Sequence, residues 1–167
     1  MFKLFDLSLK LNGFKIDKAR ADFEQIIQVA ESEYEQYILR ERKKIVDFHL
    51  KSNPFYQHLL NGKTSENWND LPVLTKKDLQ KPLSERLSKG YTEKSVFVNK
   101  TSGSSGHPFI FAKDKYCHAL TWASIIYRFG WFGIDFNTSY QARFYGIPLG
   151  FIGNKKERLK DFLGRRY

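Results

Sequence analysis

The sequence predicts an α/β chain, with a helical N-terminal region over residues 1–62 and a mixed region over residues 63–167 built around a glycine-rich loop. Three observations carry this. Apolar residues recur at three- and four-residue steps across residues 17–53, a stretch without Gly or Pro, which is the period of an amphipathic helix. Two short β-prone segments, residues 95–99 and 108–113, flank a run of Gly and Ser. A further apolar-periodic segment then runs from Asp114 to about Phe129, the pattern of another helix with an acidic N-cap.

The first fourteen residues are apolar, but Lys3, Asp6 and Lys10 interrupt them and no small-residue cleavage site follows, so they do not read as a secretory leader. Phe23, Ile26, Ile27 and Ala30, then Tyr34, Tyr37, Ile38, Ile45, Val46 and Phe48, set the helical stripe of one long helix or two in close succession, ending before Pro54. The charges of residues 35–44 suit a solvated face. Asn53-Pro54 turns the chain, residues 57–60 add a short helical piece, and Asn61-Gly62 closes it. Leu71 to Leu74 is extended, and Thr75 with Asp78 three residues later makes a capping box for a short helix. Beyond the strands, Leu120, Ala123, Ser124 and Tyr127 share one side of the expected helix. Trp122, Trp131 and Phe132 are expected in the core rather than on a stacking platform. A strand near residues 140–145 and a basic helix over residues 154–163 complete the pattern.

A chain of 167 residues with 41% apolar and 28% charged composition is long enough to bury a core of its own. The formal net charge is +10, and the excess lies entirely after residue 50, because the first fifty residues hold nine basic and nine acidic side chains. That asymmetry fits an anionic small molecule. A nucleic-acid or anionic-surface binder would rest on the charge alone, since no arginine-rich block or aromatic-basic motif is present. Residues 116–134 form the most apolar window, but His118 and Arg128 fall inside it and Gly130 and Gly133 loosen its end, which favours a buried helix over a membrane span. The single Cys117 excludes an internal disulfide and fits a reducing, cytoplasmic setting.

His49, His58, His107 and His118 are too scattered for a metal site, no carboxylate pair stands out, and Cys117 has no nucleophile context. Any catalysis must rest on positioning and charge stabilisation. The loop suits that role: Thr101, Ser102, Ser104 and Ser105 offer hydroxyls, while Gly103 and Gly106 allow the positive φ angles that turn backbone N–H groups into one concavity. A Walker loop is excluded, because the two glycines are three apart, His107 follows, and Pro108 begins a strand rather than a helix. GSSGH also fails the nucleophile-elbow pattern. From the residues alone, Ser and Gly equally permit a plain surface hairpin.

The run TSGSSGHP resembles the TSGTTGKP signature of adenylate-forming enzymes. With ILRERKKIVDFHLKSNPFYQHLL and DLPVLTKKDL ahead of it and an aromatic helix after it, the order and spacing are similar to the start of phenylacetate-CoA ligase and CapK-like proteins, from about Tyr37 to Asp135. The resemblance implies the beginning of the large N-terminal domain of an adenylate-forming enzyme. Such enzymes use ATP to activate a small-molecule carboxylate as an acyl-adenylate and commonly pass the acyl group to coenzyme A. It further implies that Thr101, Ser102, Gly103, Ser104, Ser105, Gly106 and His107 embrace the ATP phosphates with Mg²⁺ assisting. The family's adenine segment, metal-associated acid and catalytic lysine are expected downstream of Tyr167, so an N-terminal fragment, inactive alone, is the expectation. His107 stands where the signature usually has Lys, which makes any positive charge there pH-dependent. The alternative is a non-catalytic binding or scaffold descendant, with a link to capsule or surface polysaccharide work.

Overall fold

The computed structural model describes residues 3–64, 66, 68–101, 103, 106, 108–142, 158, 161 and 162. The chain forms two compact units, Met1–Gln25 with Lys115–Tyr167, and Ile26–Asp114.

In the first unit, α1 (Leu4–Leu11) and the start of α2 (Ile16–Ile27) pack with α6 (Lys115–Gly130). The apolar N-terminal stretch is therefore a helix, with Phe5 and Leu9 buried on one face. Phe5, Leu9, Ile16 and Phe136 form the core, joined by the half-buried Trp122, Ile125 and Ile126. The Phe5 ring meets Trp122 at 5.1 Å and Phe136 at 5.0 Å between centroids, distances at which aromatic pairs add about 1 kcal/mol beyond area burial. Ala19 of α2 and Ala119 and Ala123 of α6 form a second buried cluster, where short side chains let the two helix backbones approach.

One charged group is buried in this core. Asp6 accepts two hydrogen bonds from Arg20, at 2.7 and 2.8 Å, and one from Asn137 Nδ2 at 3.2 Å, while its own N–H donates to Asn137 Oδ1 at 3.2 Å. Burial pulls the Asp6 carboxyl upward, but the hydrogen bonds from Arg20 and Asn137 and the charges of Arg20 and Lys3 outweigh it and hold it below its ordinary value. The same pairing raises Arg20.

In the second unit, α3 (Glu31–Ser52) and α4 (Pro54–Leu60) are followed by a 3₁₀ turn (Trp68–Asp70), α5 (Leu83–Arg86), and the antiparallel strands β1 (Phe97–Lys100) and β2 (Ile110–Lys113). The periodic stretch is thus two helices, parted between Ile27 and Glu31. Ion pairs Lys43–Asp47 at 3.1 Å and Lys44–Glu41 at 2.6 Å occupy the solvated face of α3, which buries Val46 alone. Asn53 caps α4 by accepting from Tyr56 N–H at 3.0 Å, and Pro54 sits in its first turn, where a missing N–H costs nothing. Asn61 ends α4 in the left-handed conformation.

Several expectations need correction. Thr75 N–H and Oγ1 both donate to Asp78 Oδ2, at 2.8 and 2.6 Å, but the box closes a turn over residues 76–79 and no helix grows from it. Helix α5 comes later instead. The strands start two residues after the expected positions. Trp131 and Phe132 are not core: they are 67% and 79% exposed, just past the end of α6, whereas Trp122 does pack inward. Buried positions on α6 are Ala119 and Ala123, with Leu120 packing beside them and Tyr127 exposed. Of the strand expected over residues 140–145, Gln141 forms a single bridge and residues 143–145 lie outside the described set, as does most of the expected basic helix at 154–163. Among the described residues, no helix is long and apolar enough to cross a membrane.

Removing the Arg20 head group as Arg20→Met leaves a buried carboxylate short of its main partner and should cost about 2 kcal/mol, read from urea unfolding at pH 7. Because the folded Asp6 titrates low, its contribution is fully present above the unfolded value near pH 3.9 and is lost as pH falls through the lower folded value. The stability gap between the wild type and Asp6→Asn should therefore narrow from about pH 5 downward, and a gap independent of pH would contradict the assignment.

Candidate functional site

The glycine-rich loop stands on a closed base. β1 and β2 pair with Lys100 opposite Ile110, and one further pair extends the ladder: Thr101 N–H donates to Phe109 O, and Phe109 N–H donates to Thr101 Oγ1, both at 3.0 Å. Accepting at Oγ1 leaves the Thr101 hydroxyl proton to be donated elsewhere. Within the loop, Gly103 and Gly106 have φ of +69° and +86°, positive angles that glycine adopts without strain. A Cβ on Gly103 would lie 2.9 Å from Pro108 N, whereas one on Gly106 would meet nothing within 4 Å. The Gly106 N–H donates to Gly103 O at 2.7 Å, so it can reach a phosphate only when this turn opens. Ser102, Ser104, Ser105 and His107 lie outside the described residues.

Arg86 connects this base to the helices, and no motif in the sequence pointed to it. Its Nη2 donates to Ile110 O at 2.7 Å, its Nε donates to Lys81 O at 2.9 Å, and its guanidinium lies 5.7 Å from the centre of the Phe109 ring. Burial without a carboxylate partner lowers the Arg86 pKa from its ordinary value. Its own carbonyl accepts from Asn53 Nδ2 at 3.1 Å. A cavity of about 210 Å³ lies beside the loop's exit, walled by Lys81, Arg86, Pro108 and Phe109 among others.

A second cavity, of about 270 Å³, is bounded by residues of α3, α4, the 3₁₀ turn and α5, including Val46, His49, Tyr56, Trp68 and Arg86. Burial lowers the His49 pKa and raises that of Tyr56, so both are neutral at pH 7. His49 Nδ1 is buried and has no hydrogen-bond partner among the described residues. The His49 ring lies 5.3 Å from that of Tyr56, tilted by 56°, a contact the sequence could not reveal because the two residues sit on different helices. Among the described residues, no group of three or more His, Cys, Asp or Glu is placed to hold a metal ion.

Comparison with known proteins finds no matching family model, no matching curated protein and no matching solved structure.

The different surroundings of the two glycines separate their expected costs. Gly103→Ala combines left-handed strain with a clash against backbone and should destabilise the second unit by about 2 to 3 kcal/mol. Gly106→Ala carries only the conformational penalty of about 1 kcal/mol. Urea titrations of the two variants give the ranking, and equal effects would contradict the loop geometry described.

Proposed function

We propose that residues 99–109 are the phosphate-binding loop of an ATP-dependent carboxylate-activating ligase, and that the chain contributes the N-terminal part of that enzyme. One observation supports this reading above the others: two left-handed glycines form a tight turn on a base locked by the Thr101–Phe109 pair, between antiparallel strands. That setting suits neither a Walker loop nor a nucleophile elbow, and the sequence between the strands carries four hydroxyl residues, Thr101, Ser102, Ser104 and Ser105, a composition that suits phosphate oxygens. The resemblance of the surrounding blocks to phenylacetate-CoA ligase and CapK-like proteins supplies the reaction.

In that reaction a carboxylate oxygen attacks the α-phosphorus of ATP, the bond to the bridging oxygen breaks, and pyrophosphate leaves with the β- and γ-phosphates. The thiolate of coenzyme A then displaces AMP from the acyl-adenylate. Charge builds on the departing pyrophosphate, so donors fixed around the β- and γ-phosphates lower the barrier. Thr101 and the loop serylhydroxyls supply neutral donors, and each hydrogen bond to a charged oxygen contributes about 1.5 to 3 kcal/mol. Residues 99–109 contain no carboxylate, so this segment offers a magnesium ion only uncharged oxygens, from hydroxyls, the Asn99 amide and backbone carbonyls, and the ion would be held chiefly by the phosphates themselves.

Carboxylate-dependent exchange of pyrophosphate into ATP by the complete enzyme, of which this chain would be the N-terminal part, is the deciding assay. Absence of exchange across aromatic, fatty and sugar-linked acids would remove the assignment. At the loop itself, Thr101→Val should weaken MgATP binding about tenfold while Thr101→Ser stays close to wild type, measured by calorimetry. His107→Lys restores a fixed charge and should tighten MgATP about tenfold at pH 8, with a smaller gain at pH 5.5, where imidazole is itself protonated.

A further inference from the structure

We propose that the exposed apolar stripe of α3 pairs with the same stripe on a second copy of this chain, the two helices running antiparallel about a two-fold axis. Little packing holds α3. Along its 22 residues only Val46 is buried, and residues 31–44 include no buried side chain. Helices in proteins owe most of their stability to the packing of an apolar face rather than to propensity. Such a face is present and stays open: Tyr34, Ile38, Ile45 and Phe48 follow one another at steps of four, seven and three residues, the spacing of a coiled-coil seam. Tyr34, Ile45 and Phe48 are 54%, 50% and 43% exposed, and Ile38 is half-buried. Scattered apolar residues on a surface need no explanation. Four aligned along one helix form a continuous strip that association would cover.

The charges of the same helix select a second copy as the occupant and set its direction. Residues 31–35 carry three glutamates and no base, whereas residues 40–44 carry four bases and one acid. Antiparallel pairing lays the acidic end of each helix along the basic part of the other, and the two-fold axis makes every such attraction occur twice. Parallel pairing would set acid against acid and base against base, which opposes association. In the antiparallel arrangement the heptad brings Tyr34 of one copy against Ile45 of the other. Glu41 is the one charge on the stripe. Lys44 of its own helix pairs with it at 2.6 Å, and a single polar position in such a seam fixes register at some cost in stability. The surface is one helix wide, at the small end of specific interfaces, so the pairing is reversible.

None of residues 99–109 belongs to α3, so this surface stands or falls independently of the nucleotide reading. The test is sedimentation equilibrium of the full chain at concentrations up to about 200 µM, where a monomer–dimer equilibrium with a dissociation constant of about 10 to 100 µM is expected. Tyr34→Lys replaces an exposed side chain, which leaves the fold intact, and should weaken the dimer at least about tenfold. Ile45→Lys should do the same, and if that variant does not fold, Tyr34→Lys decides. A chain that stays monomeric at about 200 µM overturns the proposal, as does a dimer that Tyr34→Lys leaves unchanged. Direction is read by cross-linking. In a Cys117→Ser chain, a mixture of Tyr34→Cys and Ile45→Cys should form the mixed disulfide at least about fivefold more than either self-disulfide, because the bond needs its two Cβ atoms close together. A preference for the self-disulfides overturns the antiparallel pairing.

Discussion

The second unit depends on a buried amide whose two donor protons are both engaged. Asn53 is 6% exposed; its Oδ1 accepts from Tyr56 N–H, and the two Nδ2 protons go to Arg86 O and Ser88 Oγ. Leaving any one of these groups unpaired in a buried setting costs about 1 to 3 kcal/mol. The bend between α3 and α4 and the docking of residues 83–89 are therefore one event rather than two. Lys89 N–H, donating to Ser52 O at 2.7 Å, fixes the same junction from the other side. Pro54 stiffens it further, because proline in the first turn of α4 restricts the backbone without removing a needed donor.

That constraint reaches the glycine loop through Arg86. With its backbone held by Asn53, the Arg86 side chain arrives at Ile110 O, one residue from the Thr101–Phe109 pair that closes the loop. A two-stranded hairpin alone is marginal in water. The guanidinium, bonded to two carbonyls and lying against Phe109, gives this hairpin an attachment that its four-residue strands could not supply. Arg86 borders both cavities, and the contacts of its guanidinium, with Lys81 O, Ile110 O and the Phe109 ring, lie at the one beside the loop.

What could be read in the sequence was local. Asn53-Pro54, the Asn61-Gly62 stop, the helical stripe before Pro54 and the strand pair around the glycines all depend on residues within a few positions of one another, and each has a counterpart in the structure. Misreadings arose where distance along the chain decided the outcome. Trp131 and Phe132 have the composition of core residues, but α6 ends at Gly130 and leaves them past its packed face. The α1 stripe, Phe5 and Leu9, gains meaning only against Ile16 and Phe136. Asp6 looks like an interruption of an apolar run until Arg20 and Asn137 are placed beside it. Arg86 and His49 were invisible as site residues for the same reason, since their partners lie 24 residues ahead and on the next helix.

The two glycines of the loop divide its work. A Cβ on Gly103 would meet Pro108, so its left-handed conformation belongs to the packed base, whereas one on Gly106 would meet nothing within 4 Å. The bond from Gly106 N–H to Gly103 O joins two neutral groups. A phosphate oxygen is a stronger acceptor than that carbonyl, because charge-assisted hydrogen bonds are roughly twice as strong as neutral ones. Exchange of one acceptor for the other is then favourable by about 1 kcal/mol, which favours opening the turn that this bond closes. The expected motion on anion uptake is a rotation at Gly106 about a fixed Gly103.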